Sequence, residues 1–166
     1  FLLHVRVQYP DEASEIRILH LVREEAGPGS TPSPPPLKLT IEDLLEARRE
    51  LLTLHMAEPV ERYLVGLVMA TRETRGELAQ WIEFGASPRA TISLAEGARA
   101  LALMRGRNYA LPEDMSDLVH DVLRHRIVLS YEALSEGMDA DALITQIMSR
   151  VPAPARPLEH EAQAAD

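Results

Sequence analysis

Gly85-Ala86-Ser87-Pro88-Arg89-Ala90 opens the most strongly helical run of the chain, and its reading decides how the rest is arranged. Ser87 suits the N-cap and Pro88 the first helical position, so the first four backbone N–H groups point out of a well-marked helix start. Such an end is a natural seat for an anion. Arg89 falls in the first turn, where the helix dipole disfavours a cation by roughly 0.3–1 kcal/mol unless negative charge is near. From these residues alone two readings stay open. Arg89 either reaches solvent or a carboxylate such as Glu83 or Glu96, or it serves a bound anion.

Outward from this point the chain reads as helices. The run from Pro88 to about Arg105 is alanine-rich, and its small side chains let neighbours approach closely, which places it centrally. Upstream, Pro59 opens a helix with Val60, Tyr63, Leu64, Leu67 and Val68 on one stripe, stopped by Arg72, Arg75 and Gly76. Residues 77–86 read as a connecting loop anchored by Trp81 and Phe84. Downstream, Gly106-Arg107-Asn108-Tyr109 makes a turn, and Pro112-Glu113-Asp114 starts a helix whose stripe is Met115, Leu118, Val119, Val122 and Leu123. Glu113 and Asp114 read as solvated helix-start charges, and Arg124-His125-Arg126 as cations matched to the helix C-terminus. Asp139 caps a last helix bearing Leu143, Ile144, Ile147, Met148 and Val151, which Pro152 ends; residues 153–166 are expected to be disordered.

Nearer the start, Thr40-Ile41-Glu42-Asp43 has the form of a capping box for a helix to about Leu52. The alternation at 52–56 predicts a short strand paired with 127–131. A helix is expected over about 12–26, with Ile16, Leu19 and Val22 inward and Gly27 at its end. Residues 27–39 form a Pro-rich loop by composition. Residues 1–7 alternate as a strand, expected to be the last strand of a sheet in an absent N-terminal domain, and Tyr9-Pro10-Asp11 turns the chain into the helix, which sets 1–10 apart from a helical domain over 11–152.

Composition narrows the function. Of 166 residues 46% are hydrophobic, enough for one sizeable core, and the net charge of −9 argues against nucleic acid or an anionic membrane as partner. The absence of cysteine excludes disulfides and thiolate chemistry and fits a cytoplasmic location. No apolar run reaches the ~20 residues that span a bilayer, and the first residues lack the cleavage site of a signal peptide. Phosphate-loop, Gly-x-Gly-x-x-Gly and Gly-x-Ser-x-Gly motifs do not occur. His120 and His125 do not share a helix face, and no metal site is expected.

Four segments in order carry a family resemblance. They are Tyr9-Pro10-Asp11 with Glu15-Ile16 and Ile18-Leu19; Tyr63-Leu64-Val65 with Ala70-Thr71-Arg72; Gly85-Ala86-Ser87-Pro88-Arg89-Ala90 with Ala98-Arg99-Ala100-Leu101-Ala102; and Gly106-Arg107-Asn108-Tyr109 with Pro112-Glu113-Asp114 and His125-Arg126-Ile127. Together they resemble the C-terminal part of MoxR-type AAA+ ATPases, from the last core strand through the helical lid. The resemblance implies a mainly α lid bundle with a short two-stranded β piece. It makes Arg89 the catalytic sensor-2 residue that reaches nucleotide phosphates. It groups Ser87, Tyr9 and Pro10 with Arg89 on the nucleotide side, Tyr9 and Pro10 at the hinge. ATP and Mg2+ are then the cofactors of the full-length protein, with none expected on this chain alone. The Walker motifs and sensor 1 would precede Phe1, and only Phe1 would remain of the family's acidic-Arg-Phe segment. The implied partners are the AAA+ core, neighbouring subunits of a ring and a client protein, for chaperone-like remodelling or metalloenzyme assembly. The rival reading is a non-catalytic helical adaptor that binds a protein through its exposed helix faces or its Pro-rich loop.

Overall fold

The stripes of apolar residues become the faces of helices that enclose one core. The computed structural model describes residues 1–27, 38–73 and 75–154, which fall into two units, one of Val5–Glu46 and one of Phe1–His4 with the chain from Ala47 onward. In the larger unit the core is built by α3 (Glu58–Ala70), α4 (Pro88–Met104), α5 (Pro112–Leu123) and α7 (Ala140–Arg150). Val60 and Leu67 of α3, Leu94 of α4, Met115 and Val122 of α5 and Ile144 of α7 are fully buried. Together they form one cluster that draws on all four helices.

α4 is central, packed against both α3 and α5. The cause is its small side chains. Ala90, Ala98 and Ala102 are fully buried, and a Cβ added at Gly97 would lie 3.1 Å from Leu118 Cδ1 of α5. Interaxial distance depends on the side chains at the contact, and small ones let two helices approach closely. The turn after α4 is made at Gly106, whose φ of +71° is a conformation that favours glycine.

The sheet differs from expectation. β1 (Ile82–Phe84) pairs antiparallel with β2 (Val128–Leu129), Ile82 opposite Leu129 and Phe84 opposite Val128. So the partner of the 127–131 segment is the stretch read as a loop, and not 52–56. The reason lies in the neighbouring helix: α2 (Ile41–Thr53) runs far enough to leave only His55 for pairing, while Leu54 and Met56 turn into the core. His55 instead forms a parallel bridge with Tyr109, its N–H donating to Asn108 O at 3.1 Å and its carbonyl accepting from Ala110 N at 3.0 Å. Trp81 does pack against the core, whereas Phe84 is 63% exposed.

Beyond β2 the chain enters α6 (Tyr131–Ser135), a helix not expected from the sequence, which takes Tyr131 from the end of the expected strand. Ser130 makes the junction: its N–H donates to Trp81 O at 3.0 Å, its hydroxyl donates to Gln80 O at 2.6 Å, and the same hydroxyl accepts from Ala133 N at 3.1 Å. Asp139 caps α7 as expected, through Ala142 N at 2.8 Å.

Residues 1–7 form no strand, since no neighbouring strand offers them a ladder. Phe1–His4 lies against the end of α5, where His4 N donates to Asp121 O at 2.8 Å and Arg126 Nη2 to Phe1 O at 2.6 Å.

In the smaller unit, α1 (Glu12–Glu25) is capped by Asp11, whose Oδ1 accepts from Ser14 N at 2.9 Å. The Thr40 capping box forms, with Asp43 Oδ2 accepting from Thr40 N at 2.8 Å and Thr40 Oγ1 from Asp43 N at 3.1 Å. α1 buries none of its residues, and Ile16, Leu19 and Val22 stay about half exposed rather than turning inward. Its unit has too few elements to close a core around them. Most of the Pro-rich loop and all but the first two residues of the expected tail lie outside the described residues. No helix among the described residues is long and apolar enough to cross a membrane.

Candidate functional site

The site begins at the C-terminal end of α3. Its cap is Thr71, fully buried, whose hydroxyl donates to Val68 O at 2.7 Å and accepts from Ala86 N at 2.9 Å. The next residue takes the other backbone group of the same residue: Arg72 Nε donates to Ala86 O at 2.6 Å. Ala86 is thus held through both backbone groups by consecutive residues. Gly85 allows this approach, because a Cβ there would stand 2.1 Å from Thr71 O.

From this grip the chain turns into α4. Ser87 has N-cap backbone angles, φ −74° and ψ 169°, but its side chain makes no capping hydrogen bond. Ser87 thus holds the expected N-cap position without the side-chain bond that usually accompanies it. Pro88 has no N–H to offer, and the N–H of Ala90 goes to Ser87 O at 2.9 Å, leaving the hydroxyl at the exposed surface. Arg89 follows on the first turn. Its side chain is exposed and makes no hydrogen bond or ion pair among the described residues, so neither Glu83 nor Glu96 engages it. The first turn of α4 carries no acidic residue. An unneutralised guanidinium therefore stands at the positive end of a helix dipole, a placement that favours an added anion.

Ser87 and Arg89 are brought together by this helix start. Tyr9 and Pro10 belong to the smaller unit, where Tyr9 is 98% exposed.

A second charged cluster supports the turn after α4. Asp114, read from sequence as a solvated helix-start charge, is fully buried. It accepts from Arg105 Nη1 at 2.8 Å, from Arg107 Nη2 at 2.5 Å and Nη1 at 2.9 Å, and from Leu111 N at 2.9 Å, the last capping α5. Burial pushes the Asp114 carboxyl up, but the hydrogen bonds from Arg107 and Leu111 and the charge of Arg107 outweigh it and hold it below its ordinary value. Arg124 and Arg126 also do more than match a dipole. Arg124 pairs with Asp121 at 2.8 Å and Asp141 at 2.7 Å and donates to His4 O, while Arg126 bonds Ser93 Oγ at 3.0 Å. His120 Nε2 lies 3.2 Å from Thr145 Oγ1, and no group of three metal-ligating side chains occurs among the described residues.

The roles of Thr71 and Arg72 and the burial of Asp114 escaped the sequence reading. Arg72 is read from sequence as a helix stop and Ala70-Thr71-Arg72 as part of a motif; the one local signal for the role of Thr71 is a hydroxyl directly after an apolar helical stripe.

Residues 73–147 match the family described as AAA lid domain. Over 158 residues, 93% of this chain and 40% of the relative, the sequence is 34% identical to the chaperone MoxR1 of Mycobacterium tuberculosis. The chain carries an AAA lid domain of the MoxR type. The MoxR-type lid is also 34% identical to protein YeaC of Bacillus subtilis, over 93% of this chain and 45% of that protein. In three dimensions it superposes on the crystal structure of a "putative ATPase" from Cytophaga hutchinsonii, with a TM-score of 0.80 and 31% identity over 93% of this chain and 47% of that one. The chain spans less than half the length of each of these relatives.

Proposed function

We propose that this lid supplies Arg89 as the sensor-2 arginine of a cytoplasmic MoxR-type AAA+ ATPase. The observation that carries the reading is the exposed guanidinium on the first turn of α4, which has no partner among the described residues. In this reading the AAA+ core holds ATP and Mg2+, and the lid contributes a fixed cation aimed at the triphosphate. A cation preorganised beside the phosphates favours the charge that develops on them during transfer, and it acts most strongly once closure has excluded water. ATP, when bound, supplies the phosphoryl group. Arg89 then tells whether the phosphates are present, because the lid gains that attraction only in the closed state. Rotation of the lid would carry the nucleotide state to neighbouring subunits of a ring, and through the ring to a client protein in remodelling or metalloenzyme assembly.

Arg89→Ala in the full-length protein tests this. The expected result is a loss of ATP turnover on the order of 10²-fold, comparable to removal of one transition-state donor. Unchanged turnover overturns the reading and returns the chain to the helical adaptor class.

A further inference from the structure

We propose that Thr71 and Arg72 are positioning residues for Arg89, acting through the backbone of Ala86. The inference rests on the reading of Arg89 given above and adds the device that aims it. α3 is fixed in the core by fully buried side chains, and Thr71 at its end is itself fully buried. Its hydroxyl joins α3 to the α4 entrance by donating to Val68 O and accepting from Ala86 N. Arg72 closes the grip on Ala86 O. Between this grip and Arg89 stand only Ser87, extended, and Pro88, whose ring limits φ. A shift of Ala86 therefore passes to Arg89 with little slack.

The grip also carries a local cost. Arg72 Nη2 is buried with no hydrogen-bond partner among the described residues, so part of this guanidinium's desolvation is left uncompensated there. Polar groups kept at such a cost are expected where geometry matters to function. A valine at position 71 would fill nearly the same volume without joining the two helices, and a misplacement of about 1 Å is enough to slow catalysis by up to about 10²-fold.

The test measures ATP turnover in the full-length protein for Thr71→Val, Thr71→Ser, Arg89→Ala and the double variant Thr71→Val/Arg89→Ala, with thermal unfolding followed alongside. Thr71→Val is expected to lower kcat about tenfold with little change in KM, and Thr71→Ser, which keeps the hydroxyl, to restore it. The double variant is expected to be no slower than Arg89→Ala alone, since a guanidinium already removed cannot also be misplaced. Losses that multiply mean that Thr71 acts only on folding, and they overturn the inference. So does an unchanged kcat in Thr71→Val when Arg89→Ala is slow. If Arg89→Ala itself keeps full turnover, the reading of Arg89 fails, and the inference with it. Should Thr71→Val not fold, Arg72→Ala removes the bond to Ala86 O from a half-buried position and carries the same expectations.

Discussion

Arg107 Nη2 lies 2.5 Å from Oδ1 of Asp114, a carboxylate whose side chain has no exposed surface. The pair ties the turn at Gly106–Tyr109 to the first turn of α5, and Arg105 reaches the same oxygen from the end of α4. Removing one member of a buried ion pair costs about 3–5 kcal/mol, because the remaining charge loses its partner. Asp114→Ala should fall near the low end, about 3 kcal/mol, since Arg105 and Arg107 keep 42% and 20% of their side-chain surface in solvent. Urea unfolding midpoints check this, and a change of less than about 1 kcal/mol would make the cluster ornamental.

The same carboxylate gives stability a pH dependence with a defined sign. The hydrogen bonds from Arg107 and Leu111 and the charge of Arg107 hold the Asp114 carboxyl below its ordinary value in the folded chain, against the effect of burial. Its contribution is therefore fully present above the unfolded value near ~3.9 and is lost as pH falls from there through the folded pKa. Between about pH 4 and lower values, the unfolding free energy of the wild-type chain should drop more steeply than that of Asp114→Asn. Parallel slopes in a urea series at successive pH values would contradict it.

Gly85→Ala should destabilise for a steric reason alone. Its Cβ would meet Thr71 O at 2.1 Å, and backbone cannot swing aside as a side-chain tip can. The expected loss is about 1–3 kcal/mol, typical of overpacking. In the full-length protein ATP turnover should fall as well, because relief of the clash moves the entrance to α4. Chemical denaturation and turnover assays on the same preparation test both halves.

Arg89→Ala should leave stability nearly untouched, within about 0.5 kcal/mol. A small gain is the favoured direction, since a cation is removed from the positive end of a helix and no bond is broken. A clear drop in melting temperature would show that Arg89 holds the fold together.

The helical part of the fold was legible because its signals are local and redundant. Val60, Tyr63, Leu64, Leu67 and Val68 share one stripe, and Asp139 and Thr40 are followed at once by helices. The sheet was not legible, since two or three residues such as Val128-Leu129 carry too little periodicity to choose between partners. Asp114 was misread because an acid at a helix start looks the same in sequence whether it faces water or two arginines brought in from the preceding turn. Arg89 was singled out by breaking a local rule. The residues that hold its helix in place broke none, and only the distance between Thr71 and Ala86 reveals them.

One oxygen, the hydroxyl of Ser130, bonds both Gln80 O in the short 3-10 turn that leads into β1 and the Ala133 amide at the start of α6. The turn before β1 and that short helix therefore cannot fray separately: an opening that pulls Ser130 away from Gln80 and Trp81 also disturbs the cap on Ala133. In deuterium the amides of Ser130 and Ala133 should exchange at matched rates, and alanine at position 130 should uncouple them.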